Sequence, residues 1–348
     1  MKKLSIFQKL IYFIAVLLAL LLLLACVIPY FPVKLIPLFS FISLGVPALV
    51  VLNILFAIYW VFTSFKRSLF LIGALAVGYL ILGSFVQFRG ESARDSKEDI
   101  KIMTFNSYGF QGVGEKNDKE QEKENGINII DFISKQNPDI ICFQEFDYKR
   151  IRSGELDAYP YNYVDFEFGV KRDKVIQAIY SKFPIVSKGN LNFPKSYNNG
   201  IYTDVLYEKD TLRIYNLHLE SLGITPGKGV LSTKPPEKLY KQLGDVFKKQ
   251  EEQALLVSEH AKVVNYKKII CGDFNNGQYS RIYNLIRGGL KDTFEEKGSG
   301  YGRTYNYHGL PIRIDFILAD KGIIVESHKN FNVKYSDHFP VMASFSLK

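Results

Sequence analysis

Along the second part of this chain, carboxylates, amides and imidazoles recur where apolar runs end: Asn106, Glu145, His218, Asp273 with Asn275, Asp315, and Asp337 with His338. Carboxylates hold hard cations and orient water, imidazoles move protons near neutral pH, and amides donate hydrogen bonds to anionic oxygens. The clearest case is Ile269-Ile270-Cys271-Gly272-Asp273-Phe274-Asn275, an apolar run that reads as a buried strand delivering polar groups to a sheet edge. Residues two apart on an extended backbone share a side, so Asp273 and Asn275 are predicted to face one pocket, with Phe274 in the core. Gly272 allows a bend or a close approach. Singly, each position has an ordinary explanation. Asp273 and Asn275 start a turn, Glu145 caps a helix, and His218 is a satisfied core histidine. Asp315 pairs with Arg313, and Asp337-His338 makes a turn. Jointly they form a set fitted to one reaction, which the separate explanations leave unaccounted for.

The elements that must position these groups alternate in type. Ile100 to Phe105 reads as a strand ending at Asn106, and Ile127, Ile130 and Ile133 recur at near-helical spacing until Asn137-Pro138 stops the helix. A charged stretch, Glu115 to Asn125, precedes that helix. Asp139 to Phe143 is a strand ending in Gln144-Glu145, and shorter strands are predicted at Tyr161 to Phe168 and Val175 to Ser181. Ile201 to Tyr207 and Leu212 to Leu219 flank Glu208-Lys209-Asp210-Thr211 and read as a hairpin with a four-residue loop. A loop at 221–236 precedes a long amphipathic helix from about Pro236 to Val264. After the Asp273 strand come a short helix around Ser280 to Ile286 and closing strands at Ile312 to Leu318 and Phe339 to Phe345. The hairpin excludes a purely parallel sheet, and the whole reads as a mixed, layered α/β fold. Strand alternation counted from Glu145 and Asp273 points Cys271 towards the pocket side and Cys142 away from it.

The first 90 residues are of another kind. They hold no Asp or Glu and seven basic residues, Lys2, Lys3, Lys9, Lys34, Lys66, Arg67 and Arg89. Removing that +7 from the net charge of +9 leaves +2 for the remainder, so the basic balance of the whole chain is no evidence for nucleic acid. Leu10 to Ile28, Leu35 to Phe62 and Ser68 to Phe88 are long and apolar enough to cross a hydrocarbon core of about 30 Å. The alternative for the first run is a cleavable leader, but the run is long and no small-x-small site follows clearly. The chain therefore divides into a three-helix membrane anchor at 1–88, a short polar tether at 89–99 and a globular domain at 100–348. Lys2, Lys3 and Lys9 before the first run and Lys66-Arg67 before the third place those segments in the cytoplasm, which delivers the globular domain to the outer side of a plasma or inner membrane.

The pieces MTFN (103–106), QE (144–145), NLHLES (216–221), GDFN (272–275), RIDFI (313–317) and SDHFPV (336–341) together resemble the ordered signature of the endonuclease/exonuclease/phosphatase superfamily. Ser181 to Ile185 and Arg303-Thr304-Tyr305 also resemble family segments. The resemblance implies a four-layer α/β/β/α sandwich of two packed mixed sheets with outer helices, here preceded by three transmembrane helices. It implies hydrolysis of a phosphodiester or phosphomonoester with Mg²⁺ or Mn²⁺. On this reading Glu145 is the principal metal ligand, with Asp337 and Asn106 beside it. His338, oriented by Asp315, is the general acid or base. Asp273 orients or deprotonates water, while Asn275 and His218 donate to phosphate oxygens. The chain departs from the abasic-site nucleases of the family at Tyr108 and Asp147, which puts a second metal ligand at position 108 in doubt. Three substrate readings remain open: a nuclease on DNA or RNA, a phospholipid head-group phosphodiesterase, and a non-catalytic binding module.

Overall fold

The computed structural model describes residues 4–35, 37–88, 99–111, 119–166, 175–223, 235–306 and 312–347. Residues 89–98 of the tether, part of the charged stretch before the first helix of the globular domain, and most of the 221–236 loop lie outside these residues. The chain forms two compact units, one of residues 1–85 with 277–284 and the other of 86–276 with 285–348.

In the first unit three helices, α1 (Ile6–Val27), α2 (Leu38–Thr63) and α3 (Phe65–Leu82), are each long and apolar enough to span a membrane. Small residues Ala15, Ala19, Ala57 and Ala74 let the helices approach around the buried Trp60. Asn53 donates its Nδ2 to the Leu18 and Leu49 carbonyls, tying α1 to α2. The third span is shifted from the expected Ser68 to Phe88. It begins early enough to include Lys66 and Arg67, and Gly83, with φ of 81°, closes it after Leu82.

In the second unit the alternating sequences become two six-stranded sheets. The first comprises β1 (Ile100–Asn106), β2 (Ile140–Gln144), β3 (Tyr161–Val164), β4 (Ala178–Ser181), β11 (Ile324–Asn330) and β12 (Val341–Ser346), in the order β11-β12-β1-β2-β4-β3. The second comprises β5 (Ile185–Asn190), β6 (Gly200–Tyr207), β7 (Asp210–His218), β8 (Lys267–Asp273), β9 (Lys291–Asp292) and β10 (Asp315–Ala319), in the order β5-β6-β7-β8-β10-β9. The β6–β7 hairpin turns on two residues, Glu208 and Lys209, rather than four, with Glu208 taking a φ of 54°.

Each sheet has one parallel pair, β1–β2 and β7–β8, and every other pairing is antiparallel. A parallel pair needs a crossover, supplied by α4 (Lys119–Gln136) and α5 (Pro236–Lys262). Ile129, Ile130 and Ile133 of α4 pack on Met103, Ile141 and Phe143. Leu243, Phe247, Ala254 and Val257 form the buried stripe of α5. The inner faces meet through Ile102, Ile140, Ile214, Ile269, Ile317 and Phe345, among others. Shorter helices, α6 (Arg281–Arg287) and α7 (Thr293–Lys297), lie between β8 and β10 in the chain.

Cys142 and Cys271 both belong to this inner core, and burial with mutual contact raises the Cys142 thiol well above its usual range. Cys142 thus points to the same side as Cys271, contrary to the alternation argument. β2 ends at Gln144 and Glu145 turns out of it with φ of 50°, so counting through Glu145 loses the parity.

Gly272 has φ of 131°, and a Cβ there would sit 2.0 Å from the Leu217 carbonyl oxygen. Close approach of β7 and β8 therefore requires a residue without a side chain. Gly272→Ala is expected to cost more than about 4 kcal/mol and to abolish accumulation of folded protein, measured as protease resistance of the full chain in detergent.

Candidate active site

The inner faces turn from apolar to polar towards one end of the sandwich. Along β1 the inward sequence runs Ile102, Thr104, Asn106, and along β2 Ile140, Cys142, Gln144. In the second sheet, register places His218 opposite Asp273 and Asp273 opposite Asp315, so β7, β8 and β10 present these three in one row. Each sheet's parallel pair ends here, which is where α/β sheets bind ligands. Gln144 and Asn216 lock the sheets together beneath the row. Gln144 Nε2 donates to Asn216 Oδ1 at 2.6 Å and to Thr104 Oγ1 at 3.0 Å, and Asn216 Nδ2 donates to the carbonyls of Phe143 and Ala178.

His338 approaches from the chain before β12 and lies between two carboxylates. Its Nδ1 is 2.9 Å from Asp315 Oδ2, and its Nε2 is 3.6 Å from Asp273 Oδ2. Asp315 therefore faces His338, while Arg313 turns to Asp292 at 2.8 Å, which removes the Asp315–Arg313 surface pair as an explanation. Burial works to lower the His338 pKa, but the Asp315 and Asp273 charges outweigh it and hold it at about 10. Burial pushes Asp273 up to about 7 against the pull of His338. His218 has its Nε2 3.6 Å from Asp273 Oδ2 and 3.9 Å from Glu145 Oε1, and burial together with the His338 charge takes it down to about 3. Among the described residues its buried Nδ1 has no hydrogen-bond partner.

Asn106 Nδ2 donates to both Glu145 Oε1 and Asp273 Oδ2 at 3.1 Å, while its Oδ1 accepts from Tyr108 N–H. The amide thus shows its nitrogen to the carboxylates, and ligation through oxygen requires the amide to turn over. Asp337 is raised by burial, with the Glu145 charge adding to it and His338 opposing. Tyr108, at φ of 48°, is raised by burial and by the charges of Asp337 and Glu145. Glu145 and Asp337 are two hard, anionic donors close enough for the Glu145 charge to act on Asp337, and Glu145 keeps about a third of its side chain in solvent. That oxygen set fits a divalent cation. Among the described residues, Asp273, Asp315 and His338 also bring ligand atoms within 4.8 Å of one another, but there the imidazole already lies between the two carboxylates.

Asn275 sits close to Asp273 through a different geometry from the one expected. β8 stops at Asp273, and Asn275, with φ of 48°, folds back so that its N–H meets Asp273 Oδ1 at 2.8 Å. Its Nδ2 is engaged by Leu219 O and Asp273 Oδ2, which makes it a brace for Asp273. Phe274 packs on Phe316 as expected.

Two buried hydroxyls that sequence reasoning left without a role hold the frame. Thr304 Oγ1 accepts from the N–H groups of Ile314 and Asp315, both at 3.0 Å, and its carbonyl accepts from Phe339 N–H. Ser336 Oγ donates to the Asn106 carbonyl and accepts from His338 N–H. Both lie in quoted motifs, so the signal was their position beside Tyr305 and Asp337. Thr304→Val removes a double acceptor on which Asp315 hangs. It is expected to cost about 2 kcal/mol and to slow turnover about tenfold, with Thr304→Ser restoring both in thermal melts and rate assays.

Among comparisons with known proteins, the endonuclease/exonuclease/phosphatase family model matches residues 103–338, and a domain of unknown function matches residues 8–85. No curated protein matches the chain. Solved structures share the fold. Humanised D. rerio TDP2 is 14% identical with a TM-score of 0.55, covering 72% of this chain and 100% of that one. A mannosyl-6-phosphatase of Bacteroides thetaiotaomicron is 19% identical with a TM-score of 0.52, covering 71% and 99%. The human Nocturnin catalytic domain with bound sulfate is 18% identical with a TM-score of 0.52, covering 72% and 96%.

Proposed function

Since the chain belongs to the endonuclease/exonuclease/phosphatase family, whose members are phosphoric ester hydrolases, we propose that its globular domain hydrolyses a phosphate ester with the help of Mg²⁺ or Mn²⁺. The observation that carries this reading is the convergence of Asp315–His338, Asp273 and the Glu145–Asp337 pair at one end of the sandwich. Glu145 and Asp337 would hold the cation, and Asn106 keeps Glu145 and Asp273 at fixed spacing. When bound, the cation polarises a phosphoryl oxygen and offsets charge developing in the transition state. Asp273, braced by Asn275, orients the attacking water. His338, held at Nδ1 by Asp315, presents Nε2 for proton transfer, and His218 faces Asp273 and Glu145 as a donor. A non-catalytic module has no need of a buried imidazole clamped between carboxylates. The fold does not choose between ester types, because its neighbours include TDP2 with a single-strand DNA product and a mannosyl-6-phosphatase. The test is hydrolysis of bis(p-nitrophenyl) phosphate by the purified full chain with Mg²⁺ or Mn²⁺. Absence of turnover with either ion sinks the reading.

On the same reading the three helices long and apolar enough to cross a membrane would anchor the domain there, and the distribution of basic residues favours the outer side. A reporter active only outside the cytoplasm is expected to give signal when fused after Lys348 and none when fused after Arg67. The reverse pattern overturns this orientation.

A further inference from the structure

Arg67 stands in the first turn of α3, where α2 gives way to α3 through Ser64. Its guanidinium is half-buried and held from two directions. The central carbon lies 5.7 Å from the centre of the Trp60 ring and 5.9 Å from that of Tyr12, and Nη1 donates to Ser64 Oγ at 2.8 Å. The two rings are themselves set edge to face at 5.2 Å, and Trp60 is fully buried. Ser64 gives its hydroxyl to Arg67 rather than to a cap of α3. The cation is therefore fixed in place by groups from α1, α2 and the turn between α2 and α3.

What this place lacks is a counter-charge. Residues 1–85 and 277–284, which make up the helical unit, contain no Asp or Glu. Among the described residues Arg67 makes no ion pair, and its Nε and Nη2 have no hydrogen-bond partner. Those two nitrogens form one edge of the guanidinium, the edge that meets two oxygens of a phosphate at once. A charge taken partly out of water is costly unless an anion meets it. Because the side chain is already held on two rings and a hydroxyl, little freedom is left to lose when that anion arrives. Tyr12 lies only about 9 Å along α1 from its first residue, and Arg67 lies in the first turn of α3, so the group sits at the depth where a spanning helix meets lipid phosphates. Tyrosine and tryptophan are the aromatic residues that occupy that depth.

We propose that Arg67, with Tyr12, Trp60 and Ser64 behind it, binds the phosphate of an anionic phospholipid, which supplies the counter-ion that the helical unit does not carry. The lipid is a bound ligand of the three helices and not a substrate. This rests on the reading that those helices cross a membrane and is independent of the hydrolase reading.

Trp60 is the chain's one tryptophan, so its emission reports on this place alone. The full chain in a neutral detergent is titrated with phosphatidylglycerol, phosphatidylcholine and inorganic phosphate, and lipid retained on the chain is detected by native mass spectrometry. The expected result is a saturable change in Trp60 emission and retained phosphatidylglycerol. Binding should be about tenfold weaker in Arg67→Gln and unchanged in Lys34→Gln, which removes a charge from a different loop. Where Arg67→Gln does not fold, Arg67→Lys keeps the charge but loses the two-nitrogen edge, and it is expected to bind several-fold more weakly. Parental affinity in the Arg67 variant that folds overturns the site. Equal weakening in Lys34→Gln also overturns it, because it marks diffuse attraction to the basic residues. Saturation by inorganic phosphate at the same concentrations, or an equal response to phosphatidylcholine, overturns the anionic lipid as occupant. Neither an emission change nor retained lipid overturns the proposal outright. Release of the parent chain from membranes by alkaline carbonate removes the spanning reading, and the proposal falls with it while the hydrolase reading stands.

Discussion

Glu145→Gln is expected to lower metal-dependent hydrolysis about 10³-fold, equivalent to about 4 kcal/mol of transition-state stabilisation, and to leave the fold intact. The side chain leaves β2 at a left-handed residue and accepts one hydrogen bond, from Asn106 Nδ2, which a glutamine oxygen can still accept. What the substitution removes is charge. Asp337 feels that charge directly, and two neighbouring carboxylates make a site for a divalent ion where one carboxylate and an amide make a much weaker one. Mg²⁺ affinity by calorimetry should therefore fall together with the rate on bis(p-nitrophenyl) phosphate, while the melting temperature without added metal stays within about 2 °C of the parent. Full activity with metal still required would show that the cation is held elsewhere, and the Asp273, Asp315 and His338 cluster would become the place to look.

Part of the candidate site was legible in the sequence because Asn106, His218 and Asp273 end regular strands whose inward positions are apolar, and strand parity carries the inward direction to the end, whereas Asp315 opens β10 and Asp337 and His338 precede β12. Asp273 and His218 obey this rule and stand side by side in register at the ends of β8 and β7. Parity failed where the backbone leaves the strand. Glu145 and Asn275 both take positive φ, so the orientation of Cys142 relative to Glu145 and the extended reading of Asn275 were lost at those residues. The partner of Asp315 could not be read from proximity in sequence. Arg313 is two residues away, yet it stacks between Phe294 and Phe316 and pairs with Asp292. Strands β5, β9 and β11 carried no usable pattern. β5 and β11 are edge strands with solvent on one side, each with a break in register, and β9 is two residues long.

Asp315→Asn is expected to reduce turnover at least about 10²-fold, and the argument for that size is the tautomer of His338. In the parent, both oxygens of Asp315 can only accept, so Nδ1 must carry a proton towards them at 2.9 and 3.1 Å, and with the pKa held at about 10 Nε2 carries the second, towards Asp273 and the reacting group. Asparagine offers one acceptor and one donor. If the amide NH₂ turns to Nδ1, that nitrogen must be bare and the one ring proton sits on Nε2, so the ring can no longer pass there between the imidazolium of the parent and an Nδ1–H imidazole. If the oxygen faces Nδ1, the tautomer survives but the charge that supports the ring is gone. Thr304 accepts from the Asp315 backbone N–H, a contact independent of the side chain, so the strand position should be kept and the stability change should stay small. The decisive measurement is a double-mutant cycle. When Asp315 acts through His338, the Asp315→Asn/His338→Ala protein hydrolyses bis(p-nitrophenyl) phosphate no more slowly than His338→Ala alone. Two independent losses that multiply would show that Asp315 acts by another route, and His338 would then lack the group assigned to orient it.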